Sequence, residues 1–169
     1  MHLVCLGVMR RLIHLWIHGP RASRLSQSIL AVISDKLVVL HPHIPREFAR
    51  KPRSLLEYRN WKVTELRLFL LYTGPIVLKG IVPAELYQHF LTLSVAICIL
   101  FSPSLIEPYL SYAADLIKYF VTSFGVLYGQ DQLVYNVHSL IHLPQDAEQY
   151  GSLDNVTFLH FNLKIISED

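Results

Sequence analysis

The stretch YQHFLTLSVAICILFSPSLI, Tyr87–Ile106, contains no Asp, Glu, Lys or Arg. It is about as long as the roughly 20 apolar residues that a helix needs to cross a bilayer. It is also interrupted. Gln88 and His89 stand at its start, and Ser102-Pro103-Ser104 breaks it near the end. The uninterrupted part, Phe90 to Phe101, has the length of a helix buried in a protein core. We therefore read it as the core helix of an all-helical domain. The alternative is a small helical membrane protein with a span near residues 87–106, and membrane contact is otherwise not expected.

The sequence on both sides supports the helical reading. Leu3, Val4, Gly7, Val8, Arg11, Leu12 and Leu15 recur at i, i+3, i+4 spacing, and Gly19-Pro20 closes that first helix. Ser26 is placed to cap a second helix that runs to about Leu40. His41-Pro42-His43-Ile44-Pro45 then breaks the chain. Asn60 is expected to cap a third helix, from Trp61 to about Tyr72, stopped by Gly74-Pro75. Pro83 opens the core helix, and a fifth helix runs from about Glu107 to Tyr128 and ends at Gly129. Asp131 is read as the cap of a sixth helix through about Leu143, after which Pro144 opens a short acidic turn ended by Gly151. The closing VTFLHFNLKII alternates weakly and reads as a strand or irregular tail. The expected fold class is mainly α: a helical bundle-like domain of about six helices.

The 169-residue length fits one domain with a sizeable core. Hydrophobic residues make up 52% and charged residues 17%, against roughly 45–50% and about 25% in ordinary soluble domains. Such an excess fits a membrane segment or an exposed face that normally packs on a partner. Arg10 and Arg11 interrupt the apolar start where a secretory signal needs its hydrophobic stretch, so secretion is not expected. Cys5 and Cys98 lie in apolar helical contexts with no zinc spacing around them, which suits reduced thiols in the nucleus or cytoplasm.

Three constellations bear on chemistry. His138 and His142 are four residues apart, which places two rings on one face of an α-helix. The intervening Ser139, Leu140 and Ile141 exclude the His-Glu-x-x-His pattern of a metalloprotease. A metal-dependent hydrolase would have to complete the site with Asp146 or Asp154, and a pair of core-rim histidines is the simpler reading. The second constellation is basic: Arg46, Arg50, Lys51, Arg53, Arg59, Lys62 and Arg67, opposed by Glu47, Glu57 and Glu65 and interleaved with Tyr58 and Trp61. Such clusters neutralise phosphates, and they also occur as solvated loops. The net charge of +2 does not by itself mark a nucleic-acid binder. The acids form the third group. Asp35, Asp115, Asp131, Asp146, Asp154, Glu168 and Asp169 are scattered, without the convergence that a two-metal nuclease site requires.

Taken in order, MHLVCLGVMRRLI, REFARKPRSLLEYRNWKVTELRLFLLYTGPIVLK and LVYNVHSLIHLPQDAEQYGSLDN resemble the C-terminal half of CACTA (EnSpm-like) transposases. The resemblance covers residues 1–155 and leaves 156–169 as a divergent tail. It implies a DDE-type enzyme with an RNase H-like core, in which three acids hold two Mg²⁺ or Mn²⁺ ions. It also implies that the helical region is the insertion between the second and third acids. An aspartate is expected two positions before Met1, and a glutamate is expected where Asn162 stands. With no catalytic acid of the pattern in the sequence, the resemblance implies an incomplete enzyme with no catalytic residue, metal or cofactor of its own.

It further implies that His2, His138 and His142 are relics of an active-site rim. Arg46, Arg50, Lys51, Arg53, Arg59 and Lys62 become the expected DNA contacts. Exposed apolar surface would pack on a nuclease core or on another copy.

Overall fold

The computed structural model describes residues 1–153. These are mainly helical, with no strand among the described residues. The expected strand from Val156, together with Asp154, Asn162, Glu168 and Asp169, lies outside them.

The core helix, which we call α4, spans Ala84–Phe101. Ser102 alone separates it from Pro103–Tyr128, here α5, so the two helices fold back on each other as a hairpin. α5 begins earlier than the expected Glu107: Pro103 fits its first turn, and Pro108 is carried inside the helix on its exposed side. Gly129, with φ of +103°, ends it. α4 is long and apolar enough to cross a membrane, yet 56% of it is buried inside the protein. Its polar residues also find protein partners. Ser94 Oγ donates to Leu70 O at 2.7 Å, and His89 Nε2 donates to Phe120 O at 2.9 Å.

His89 stacks on Phe120 with ring centroids 4.1 Å apart, and its other nitrogen, Nδ1, is buried without a partner. Burial pushes its pKa down to about 4, only partly opposed by the Phe120 carbonyl. The imidazole is therefore neutral at pH 7.

The other helices pack onto this hairpin. α1 winds as a π-helix over Leu3–Met9 and continues as an α-helix over Arg10–His18. Its apolar stripe seats Trp16 on the core, where the ring meets Phe90 edge-on and Nε1 donates to the Tyr128 hydroxyl at 3.1 Å. α2 is Gln27–Leu40, and its first turn is capped by Ser26 Oγ, which accepts from Ile29 N–H.

α3 corrects the sequence reading twice. It starts at Val63, with Lys62 rather than Asn60 at the cap position, and Glu65 reaches back to accept the Lys62 N–H at 2.8 Å. It also does not stop at Gly74-Pro75. Val63–Leu68 passes into a π turn, Phe69–Thr73, and then into helical Gly74–Val77. The wider turn, with Gly74 N–H bonded to Phe69 O, carries the chain past a proline that has no N–H to give. Gly74 is needed because a Cβ there would sit 2.6 Å from Phe90 Cζ.

The expected single helix from Asp131 to Leu143 is broken. Gln130–Gln132 is a 3₁₀ turn, α6 is only Tyr135–His138, Ser139–His142 is again 3₁₀, and α7 is Leu143–Tyr150. Pro144 stands in the first turn of α7, and Gly151, with φ of +81°, ends it, as the sequence suggests. Ser152 Oγ then ties this end to Phe101 O at 2.8 Å. Cys5 is buried, which pushes its thiol up to about 12, whereas Cys98 is exposed. Outward-facing Tyr109, Tyr112, Tyr119 and Val126 leave an apolar stripe along α5.

Two outcomes follow for stability. In the unfolded chain the imidazole binds a proton near pH 6.5, whereas in the folded chain it does so only near pH 4. The stability that neutral His89 contributes is therefore complete above pH 6.5, and about 3 kcal/mol of it is lost as pH drops from 6.5 to 4. Urea unfolding at successive pH values should show this loss, and His89→Gln should flatten it. Gly74→Ala should destabilise by about 1–3 kcal/mol, because both Phe90 and the Phe69 carbonyl would have to move.

Candidate functional site

The basic connector is not a uniform cationic surface. Arg53 binds the buried Glu65 carboxylate through Nε at 2.7 Å and Nη2 at 3.2 Å, and it also reaches Glu57 at 3.1 Å and Asn60 O at 3.1 Å. Lys51 Nζ donates to the carbonyls of Ile44 and Pro45. Both residues spend their donors holding the connector in place. Arg46 and Arg50 are exposed. Arg59 and Lys62 are exposed too, but they line a concave site that the sequence reading did not assemble.

That site lies between α1, the 3₁₀ helix Leu55–Asn60, the start of α3, and α6. It has two adjoining recesses that share Leu6, Arg10 and Arg59. One, of about 400 Å³, is completed by Asn60, Trp61, Lys62 and Val63. The other, of about 460 Å³, is completed by Gly7, Arg11, His14, Tyr58, Val134 and Asn136. No Asp or Glu lines either recess. Arg10, Arg11, Arg59 and Lys62 have no carboxylate partner among the described residues.

The helical period of α1 produces this arrangement. Leu12, Ile13, Leu15 and Trp16 turn inward, so Gly7, Arg10, Arg11 and His14 share the other side. Each of the three arginines is then held in place. Arg10 Nη2 donates to Trp61 O at 2.6 Å, and Arg11 donates to the backbone and side-chain oxygens of Gln132 at 3.3 and 3.0 Å. Arg59 Nε donates to the Tyr58 hydroxyl at 3.2 Å.

Since a guanidinium can only donate, that hydroxyl accepts from Arg59, and it forms a second hydrogen bond with His14 Nδ1 2.8 Å away, whose direction follows the imidazole tautomer. His14 thus stands at the end of a short chain of hydrogen bonds, Arg59 to Tyr58 to His14. Its pKa is lowered by desolvation first, and then by His18, Arg59 and Arg11. Two donors remain unused. Arg10 Nε and Trp61 Nε1 are buried with no hydrogen-bond partner, a state that costs about 1–3 kcal/mol for each group.

His2, His138 and His142 are all exposed. The expected alignment of the last two on one helical face is lost, because Ser139–His142 turns as a 3₁₀ helix, at three residues per turn rather than 3.6. No group of three or more His, Cys, Asp or Glu gathers into a metal site among the described residues, so Asp146 does not complete one with the histidines. Asp154 lies outside those residues.

The sequence did carry a signal for Arg10 and Arg11. The first acid of the chain is Asp35, so these arginines have no acidic partner on a helix whose other residues are apolar or histidine. No family model, curated protein or solved structure matches the chain.

Glu65→Ala should cost about 3 kcal/mol in urea unfolding, since it strands Arg53 and removes the acceptor at the α3 cap. Arg46→Ala and Arg50→Ala should stay within about 0.5 kcal/mol.

Proposed function

We propose that this chain is the non-catalytic helical region of a transposase-like protein and that it contacts nucleic-acid backbone through the Arg10–Arg11–Arg59–Lys62 cleft. One observation carries the reading: four cations meet at a concave surface that no carboxylate enters. Phosphates are the natural counterpart of such a surface, and neutralising them releases counterions from the nucleic acid. The ordered sequence motifs supply the transposase side of the proposal. They also account for the lack of acids, because the region between the second and third acids needs none. Arg46 and Arg50 extend the basic surface along the connector, whereas Lys51 and Arg53 act by holding its shape.

The test is binding of a labelled DNA duplex, followed by fluorescence anisotropy between 50 and 200 mM salt. Affinity should fall steeply with salt and show little sequence preference. Arg59→Ala with Lys62→Ala should weaken binding about tenfold and reduce the magnitude of the salt slope by about 2, at roughly 0.9 per lost phosphate contact. Lys51→Ala should leave that slope unchanged. Binding indifferent both to salt and to the Arg59 and Lys62 changes would overturn the proposal. Elution without detergent in the same preparation tests the alternative of a membrane span in α4.

A further inference from the structure

We propose that the two recesses form one nucleotide-sized pocket. A phosphate sits against Arg10, Trp61 and Lys62, and its nucleoside lies against Gly7, His14 and Asn136. This rests on the phosphate-binding reading of the cleft but goes beyond it, because backbone contact alone requires neither a cavity nor unused buried donors.

Three observations carry the inference. The first is size. Each recess, at about 400 and 460 Å³, falls within the roughly 300–1,000 Å³ range of small-molecule sites, and they share a wall at Leu6, Arg10 and Arg59. The second is the pair of unused donors. Trp61 is 2% exposed, yet its Nε1 has no partner, and neither has Arg10 Nε. The bond from Arg10 Nη2 to Trp61 O fixes the guanidinium beside that residue. A phosphate offers several acceptor oxygens to the exposed Lys62 ammonium and to the Arg10 guanidinium that lines the recess, and it would reach the two buried N–H groups only by displacing the atoms that cover them; charge-assisted bonds of this kind are the strong ones.

The third observation is the difference between the recesses. The second adds an amide that both donates and accepts, a neutral imidazole and the bare backbone of Gly7. Those groups suit the polar edges of a nucleoside. A Cβ at Gly7 would lie 3.1 Å from the Asn136 amide carbon, so the glycine is what lets that amide pack close against α1.

The experiment titrates the full chain with adenosine 5′-monophosphate, adenosine and inorganic phosphate. It follows tryptophan fluorescence and the NMR titration of the His14 ring. The monophosphate should bind at least tenfold more tightly than either part, displace labelled duplex, and raise the pH at which His14 takes its proton. Asn136→Ala should bring the monophosphate down to the affinity of inorganic phosphate while leaving phosphate binding intact. Arg10→Lys keeps the charge but loses the guanidinium and its bond to Trp61 O; it should weaken the monophosphate about tenfold. Should that variant fail to fold by circular dichroism, the change at exposed Asn136 still decides the matter.

Equal binding of monophosphate and inorganic phosphate overturns the nucleotide pocket. Duplex binding without any monophosphate binding overturns it as well, but leaves the backbone-contact reading standing. Loss of both removes the two together.

Discussion

The contact of His89 with Phe120 governs how this fold closes. A neutral imidazole lies flat on a phenyl ring, and its N–H is given to a backbone carbonyl of the facing helix. This locks α4 to α5, and the remaining helices dock on the pair they form. Trp16 brings α1 against Phe90 and Tyr128, while Ser94 and Phe90 receive α3 through the Leu70 carbonyl and the Phe69 ring. Ser152 returns the end of the described chain to Phe101. A buried polar group in the first half of an apolar helix thus helps to set the register for the hydrophobic contacts around it, provided that it remains uncharged.

The cleft inherits its geometry from that core. The inward stripe of α1 is fixed by the hairpin, so the outward stripe has no freedom of rotation. Arg10 then reaches Trp61, 51 residues away in sequence, and Arg11 reaches Gln132, 121 residues away. Glu65 supports the other wall. It caps α3 at Lys62 and anchors Arg53, so Arg59, Asn60 and Trp61 are carried on a segment tied at both ends. Cations that look alike in sequence divide into those that build the wall and those that face the opening.

Much of the helical plan could be read from local chemistry. Ser26, Pro83, Gly129, Pro144 and Gly151 each act within a few residues, and each marks a helix boundary where the sequence suggests it. The errors arise where a tertiary contact overrides a local rule. Gly74-Pro75 reads as a stop only if the winding stays α; the π turn before it and the Phe90 ring against Gly74 keep the helix going. Asp131 reads as a cap, yet the helix waits for Val134, and the segment beyond keeps changing its winding. The site was less legible than the fold. Arg59 and Lys62 stood out by composition, but Arg10 and Arg11 join them only through contacts between distant parts of the chain. The i,i+4 spacing to Glu57 hints that Arg53 is engaged, but no local pattern reveals its bond to Glu65 or the Lys51 contacts with two carbonyls.

Four like charges gathered without a counter-charge repel one another, and the folded chain must bear that repulsion whenever the cleft is empty. Stability and occupancy are therefore linked. Any polyanion that seats there favours the native state through its concentration relative to its dissociation constant, and dilute, low-salt solution is the least favourable medium for this fold. The stability of the isolated chain should therefore depend on which anions surround it, and not on its own contacts alone.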